Sequence, residues 1–116
     1  MSYNKSVKIK DYQGRSVELS EQSWEHIQES HPEITMDDIK SVLGDPLEVR
    51  QSPKKSINQE PIELFYQVKT HPEGRLRFKV VVVKVLKDGL FVSTAMTTNA
   101  MKAGETLCRK DEGEVL

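Results

Sequence analysis

Residues 75–86 read RLRFKVVVVKVL, and this stretch decides the fold that the sequence predicts. In its first half, cations alternate with apolar residues, which places the two kinds on opposite faces of a β-strand. In its second half, the unbroken run of valines at 80–83 is typical of a strand covered on both sides. We therefore expect residues 75–86 to form the centre of a sheet.

Two short helices are predicted upstream of this strand. Ser20 is a favourable N-cap for the first helix, which should end near His31 because Pro32 disfavours helical geometry in the residue before it. Thr35 caps the second helix, and Gly44 ends it. The apolar residues of each helix recur at helical spacing, so each has one face that can pack on a sheet.

The rest of the chain has the period of two that strands show. The further predicted strands are an N-terminal hairpin that turns at residues 13–14, a short strand near 47–49, and strands at 62–68 and 90–96. The order ββααββββ predicts an α+β domain, with an antiparallel sheet of the hairpin and about four later strands and with the helices packed on one sheet face. We expect residues 1–110 to form this single domain and residues 111–116 to form an acidic C-terminal tail.

Charge is unevenly distributed along the 116 residues, although the net charge is only −1. Residues 16–48 carry a net charge of −8 and residues 49–110 carry +7. This asymmetry either gives the molecule a face that attracts polyanions or reflects acidic helices beside basic strands. The sequence contains no apolar run near the ~20 residues of a membrane span. The single Cys108 cannot form an internal disulfide, so we expect a cytoplasmic protein without membrane association.

Three cations of the long strand, Arg75, Arg77 and Lys79, are candidates for binding RNA. If the helices cover the face of Phe78 and its apolar neighbours, these cations lie on the open face. Phe65, on the preceding strand, would add an aromatic platform, and cations beside a stacking ring suit single-stranded RNA. An ordinary solvent-exposed sheet face that binds no RNA would carry the same residues, so both interpretations stay open.

Polar residues outside this strand add candidates for proton transfer and phosphate binding. His31 lies at a predicted helix C-terminus, where the helix dipole favours its protonated form, and it would equally serve as a cap. His26 lies on the opposite side of the same helix and is the reserve. Thr97 and Lys102 follow the last predicted strand, in either a binding loop or a capped turn. The histidines lie at unrelated helical phases, so we expect neither a metal site nor a cofactor.

The order of elements resembles that of the barnase–EndoU–colicin–RelE-like (BECR) superfamily of small ribonucleases. The segments that carry the resemblance are SHPEITMDDIKSVLGDPLEV at 30–49, RLRFKVVVVKV at 75–85 and LFVSTAM at 90–96. The nearest likenesses are BrnT-type toxins and phage-associated branches, over roughly residues 20–105. His31 falls where BrnT-like proteins carry a histidine after the first helix. Those toxins continue the last strand with arginine where this chain has Met96 and then Thr97.

The resemblance implies a metal-independent, toxin-like endoribonuclease that cleaves by attack of the ribose 2′-hydroxyl. His31 would be the acid or base, with His26 in reserve, and Arg77 and Lys79 would stabilise charge. Thr97 would position the phosphate. Lys102, Arg75 and Phe65 would hold the flanking RNA.

Two alternatives remain open from the sequence. The first is a catalytically inactive module of the same fold that binds RNA or a protein such as an antitoxin. The departure at Met96 and the near-zero net charge favour it. The second is a protein-interaction domain that uses the acidic helical region, residues 16–48. The sequence predicts no oligomeric state.

Overall fold

A computed structural model describes residues 6–52, 60–70, 74, 76–101 and 104–109. The elements in chain order are β1 (Ser6–Lys10), β2 (Ser16–Ser20), α1 (Glu21–Ser30), α2 (Met36–Gly44), β3 (Glu48–Gln51), β4 (Ile62–Thr70), β5 (Leu76–Leu86), β6 (Gly89–Thr98) and β7 (Glu105–Arg109). The predicted acidic tail, residues 111–116, lies outside the described residues. Neither α1 nor α2 has the length and apolar character of a membrane-spanning helix, and these are the helices of the described part of the chain.

The described strands form one seven-stranded sheet in the order β1-β2-β6-β5-β4-β3-β7. Strands β2 and β6 are parallel, with Val17 beside Leu90, and the other neighbours are antiparallel. The prediction of an antiparallel sheet with about four strands after the helices is therefore wrong: five strands follow the helices and the sheet is mixed. Strand β7 was not predicted because its residues, ETLCR, show no apolar alternation. The parallel pair joins strands distant in sequence, which local patterns do not reveal.

Local sequence determines both helices, which begin and end where predicted. The Ser20 hydroxyl accepts a hydrogen bond from the backbone N–H of Ser23, and His31 is the C-cap of α1. Thr35 and Asp38 form a reciprocal capping box at the start of α2, in which each side chain accepts from the other's backbone N–H. These caps satisfy N–H groups that a helix start otherwise leaves unpaired.

Both helices pack on one face of the sheet, but not on the face that the sequence favoured. Ile27 of α1 and Ile39 of α2 are buried in one core with Phe65, Val81 and Val83. We call this side the helix face. Residues at alternate positions, among them Leu64, Tyr66, Val80 and the partly buried Phe78, form a separate apolar cluster on the other side, the open face.

Neighbouring strands explain which face of β5 receives the helices. The valine run makes both of its faces apolar, so β5 alone does not decide between them. Val49 of β3 and Ala95 of β6 are buried in the helix-side core. On the open face, the cross-strand partners of the apolar cluster include Glu48, Lys84 and Thr94. The helix-side core therefore extends onto β3 and β6, whereas polar residues border the open-face cluster on those strands, although β4 places Glu63 and Gln67 on the helix face.

Candidate functional site

The pairing of β5 with β6 brings four polar residues together at one end of the helix face. Arg77, Lys79 and Thr97 were predicted as site residues, and Asn99 was not. Lys79 lies directly opposite Thr97 in the register. Two residues further along β5, the Nε of Arg77 donates a hydrogen bond at 3.0 Å to Oδ1 of Asn99, the residue that follows β6. Because side chains alternate along a strand, Arg77 and Lys79 point to the same side, and the hydrogen bond places Asn99 beside Arg77.

The loop between α1 and α2 supplies the next two groups. The Thr97 hydroxyl donates a hydrogen bond to Oε2 of Glu33 at 3.0 Å. The same oxygen lies 3.8 Å from Nδ1 of His31. The His31 and Glu33 side chains are 31 % and 35 % exposed, so a solute can reach them. A carboxylate, an imidazole and a hydroxyl thus meet at the surface beside two strand cations.

The Glu33 carboxyl is held in its ionised form. Partial burial acts to raise its pKa, but hydrogen bonds from its own backbone and from Thr97, together with the charge of His31, outweigh that effect. The pKa of Glu33 therefore lies below its ordinary value. The ionised Glu33 carboxylate lies on the Nδ1 side of the His31 ring at 3.8 Å, so it acts on the ring through its charge and not through a hydrogen bond.

The charge of Lys79 is already balanced within the protein. Its Nζ lies 2.8 Å from Oδ1 of Asp38, and both side chains are about one-fifth exposed. Burial acts to raise the pKa of Asp38, but hydrogen bonds from Lys79 and from the Thr35 backbone lower it below its ordinary value. Among the described residues no carboxylate lies within ion-pair distance of Arg77, so Arg77 keeps the site's uncompensated positive charge.

The structure therefore brings four predicted site residues together: His31, Arg77, Lys79 and Thr97. The two cations lie on the helix face and not on the open face, because the helices cover the side opposite to the one expected. Phe65 is fully buried, and its ring packs edge-on against Tyr12 at 6.0 Å. The prediction that Phe65 stacks an RNA base is therefore wrong.

The remaining predicted residues lie elsewhere. His26 is exposed on α1, and helical geometry places it about 140° around the helix from the direction of His31. Arg75 and Lys102 lie outside the described residues.

Three residues of the cluster were not predicted: Glu33, Asp38 and Asn99. Glu33 follows the His-Pro pair at the end of α1. Its position in the loop between the helices was the one feature of the sequence that could have identified it as a site residue. Asp38 was considered as part of the acidic helical region, residues 16–48, and not as a partner of a strand cation. Its contact with Lys79 spans 41 positions in sequence, which no local pattern reveals.

A second charged cluster lies on the open face and attaches β7 to β3. Glu48 is only 3 % exposed and accepts hydrogen bonds from Arg50, from Arg109 at 3.1 Å and from Thr106 at 3.1 Å. Burial acts to raise the pKa of Glu48, but these donors lower it below its ordinary value. Because its donors come from two adjacent strands, we interpret this cluster as structural.

In the described part of the chain, no group of three His, Cys, Asp or Glu residues is arranged to hold a metal ion. The fold and the cluster define an α+β protein in which a carboxylate, an imidazole and a hydroxyl lie together at the α1–α2 loop. No family model, curated protein or solved structure matches this chain, so membership of the BECR superfamily remains a prediction from the sequence.

Proposed function

We propose that the protein is a metal-independent, toxin-like endoribonuclease that acts at the α1–α2 loop. One observation carries the proposal: a single carboxylate oxygen of Glu33 contacts both the Thr97 hydroxyl and the His31 ring, directly beside Lys79 in the strand register. Cleavage of RNA by its own 2′-hydroxyl needs a group that takes a proton and cations that stabilise a phosphoryl charge. Both kinds of group are present within this cluster.

His31 is the residue that we propose as the general base. Glu33 favours a proton on Nδ1, so Nε2 accepts the proton of the ribose 2′-hydroxyl. The 2′-oxygen then bonds to the adjacent phosphorus while the bond to the 5′-oxygen breaks, which leaves a 2′,3′-cyclic phosphate. The departing 5′-oxygen takes a proton from solvent, which reaches this partly exposed site. Glu33 acts through His31 and is a positioning residue.

Arg77 and Lys79 have the electrostatic role in this proposal. Arg77 is anchored through Nε by Asn99, which leaves the outer edge of its guanidinium to bind a phosphodiester. Lys79 contributes only where the phosphodiester competes with Asp38 for its ammonium group. Thr97, held by Glu33, lies between these cations and His31 and positions the phosphate.

A non-catalytic module that binds RNA or a protein is the second candidate function. The ion pair between Lys79 and Asp38 and the burial of Phe65 favour it, because both reduce the surface available to RNA. Met96, where the resembling toxins carry arginine, faces the open side among apolar residues and adds no cation. For either function we propose a cytoplasmic location, where a free thiol such as Cys108 stays reduced.

The test is incubation of the purified protein in EDTA with mixed-sequence single-stranded RNA and with ribosome-bound RNA, followed by analysis of the fragment ends. Cuts with 2′,3′-cyclic phosphate ends are expected. Arg77→Ala should slow them by about 100-fold, the usual effect of removing one group that stabilises a transition-state charge. Because Arg77 is a surface residue, its variant should keep the thermal midpoint of the native protein. Intact RNA on both substrates would contradict the enzyme and leave the binding module.

A further inference from the structure

An apolar groove lies between β1 and the two helices, away from the cluster described above. Its lining residues are Val7, Leu19, Ser20, Glu21, Trp24 and Met36, and we call it the Trp24 groove. Its volume is about 190 Å³. This is several times the ~30 Å³ that one water molecule occupies in the liquid, so the groove has room for a large apolar side chain.

The apolar walls of the groove are incompletely covered. Val7 is 39 % exposed and is one of three large apolar side chains that are exposed to this degree among the described residues. Trp24 and Met36 pack against the core on one side but remain partly exposed on the other. Tryptophan and methionine are enriched where proteins bind apolar anchors of a partner.

Acidic side chains surround this apolar surface. Glu21 lines the groove, Glu25 follows it by one helical turn, and Asp37 is the neighbour of Met36. All three are exposed, and within the described part of the chain no cation lies within ion-pair distance of any of them. Lys40 is the one Lys or Arg in the two helices. Among the described residues, the charged helical side chains that border the groove are therefore acidic, and none of Glu21, Glu25 and Asp37 forms an ion pair.

We propose that the Trp24 groove binds a basic segment of another protein, with one large apolar side chain in the groove and flanking Lys or Arg residues on the acidic rim. The groove supplies the apolar contact, and the rim selects the sign of the partner's charge. A second copy in a symmetric contact would place equal acidic rims against each other, and RNA would bring phosphates to them; both arrangements are repulsive. This inference does not depend on the ribonuclease proposal.

The test selects ligands for the full-length protein from a random linear peptide library displayed on phage. Enriched peptides should carry an aromatic or large aliphatic residue flanked by Lys or Arg. Trp24 is the only tryptophan in the chain, so its fluorescence reports directly on groove binding by a synthetic copy of an enriched peptide. The double variant Glu21→Gln/Asp37→Asn should weaken that binding by about tenfold.

A matched control removes two exposed acids elsewhere. Asp88 lies in the β5–β6 turn and Glu105 begins β7, and Asp88→Asn/Glu105→Gln should bind the peptide like the native protein. The proposal is overturned if no peptide is enriched, if the enriched peptides lack basic residues, or if Trp24 fluorescence does not respond. Equal loss of affinity in both double variants would also overturn it, since that result would show that peptide binding depends on the overall charge of the protein and not on the groove.

Discussion

At the residue scale, the ion pair between Lys79 and Asp38 limits the phosphate binding that we propose for the site. The two side chains are partly exposed, so the ion pair adds little to the stability of the fold. Its larger effect is to place an acid beside Lys79, one of the cations that we propose to bind a phosphodiester. Asp38 also accepts a hydrogen bond from the Thr35 backbone at 2.9 Å, so the acid is fixed in place by the capping box.

We expect Asp38→Asn to strengthen RNA binding by about tenfold at low salt, because Lys79 then gains a phosphate contact. Asparagine keeps an oxygen that can accept from Thr35, so α2 should remain capped. RNA affinity measured across a salt series should show a slope steeper by about 0.7, the contribution of one additional phosphate contact on a single strand. Asp37→Asn is the control, since Asp37 is exposed and lies outside the cluster. An unchanged slope in Asp38→Asn would show that Lys79 does not contact phosphate.

His31 could be predicted as a site residue from the sequence, but Glu33, the carboxylate beside it, could not. His31 was identifiable from the end of a helix and from a resemblance. Glu33 and Thr97 are separated by 64 positions, and their contact depends on where the α1–α2 loop lies on the finished sheet. The prediction that Phe65 stacks an RNA base was wrong for a similar reason. Whether a strand residue is buried under the helices or exposed depends on which sheet face the helices pack on.

At the element scale, β7 is a short edge strand whose attachment depends on Glu48. The Glu48 carboxylate is buried and joins β3 to Thr106 and Arg109 of β7. Cys108, between those two residues, lies opposite Val49 and packs against the helix-side core. Release of β7 would therefore expose Cys108.

We expect Glu48→Gln to weaken the attachment of β7, because a neutral amide removes the buried negative charge that contacts Arg50 and Arg109. The cost should be about 2 kcal/mol. Labelling of Cys108 by a thiol reagent at neutral pH should become about tenfold faster than in the native protein. Glu105→Gln, an exposed acid on the same strand, should label at the native rate. Equal labelling rates in all three proteins would contradict a structural role for Glu48.

Acid should have the same effect on β7 as the Glu48 substitution. The pKa of Glu48 is lower in the folded protein than in the unfolded chain, so its stabilising contribution is fully present above the unfolded value of about 4.3. That contribution is lost as the pH falls through the folded pKa. Hydrogen exchange of β7 amides, corrected for the intrinsic pH dependence, should lose protection below about pH 4 in the native protein. In Glu48→Gln this pH dependence should be absent.

The positions of the helices could be predicted from the sequence, whereas the order and direction of the strands in the sheet could not. Ser20 and Thr35 begin the helices through hydrogen bonds to residues three positions away, so the sequence contains that information. The order of strands and the parallel pairing of β2 with β6 arise from distant contacts. The apolar run of β5 fits either face, and its neighbours decided which face the helices cover.

At the scale of the whole molecule, Arg15 joins the N-terminal hairpin of β1 and β2 to strand β4. Its guanidinium contacts Asp11 at 2.7 Å and Glu63 of β4 at 2.8 Å. The hydrogen bond to Glu63 is the main cause of the raised pKa of Arg15, so this cation is permanently charged. Asp11 is buried, and besides its ion pair with Arg15 its carboxylate accepts hydrogen bonds from the backbone N–H groups of Gln13 and Arg15.

Arg15→Ala should therefore destabilise the whole domain by about 2 kcal/mol, since it leaves the Asp11 carboxylate without its cation. Thermal unfolding followed by circular dichroism should show a midpoint lower by about 10 °C. Arg15→Lys keeps the charge but not the forked geometry and should recover part of the loss. A midpoint unchanged in Arg15→Ala would show that the hairpin is held by its apolar contacts alone.

We propose that RNA is cut at the cluster of His31, Glu33 and Thr97, and a comparison of His31, the C-cap of α1, with His26 within α1 tests this most directly. Cleavage rates in EDTA would be measured for the native protein, His31→Ala and His26→Gln. We expect His31→Ala to lose cleavage by at least about 100-fold, the contribution of a general base, while His26→Gln cuts at the native rate. Cleavage that survives in His31→Ala, or that is lost equally in both variants, would contradict the proposed site.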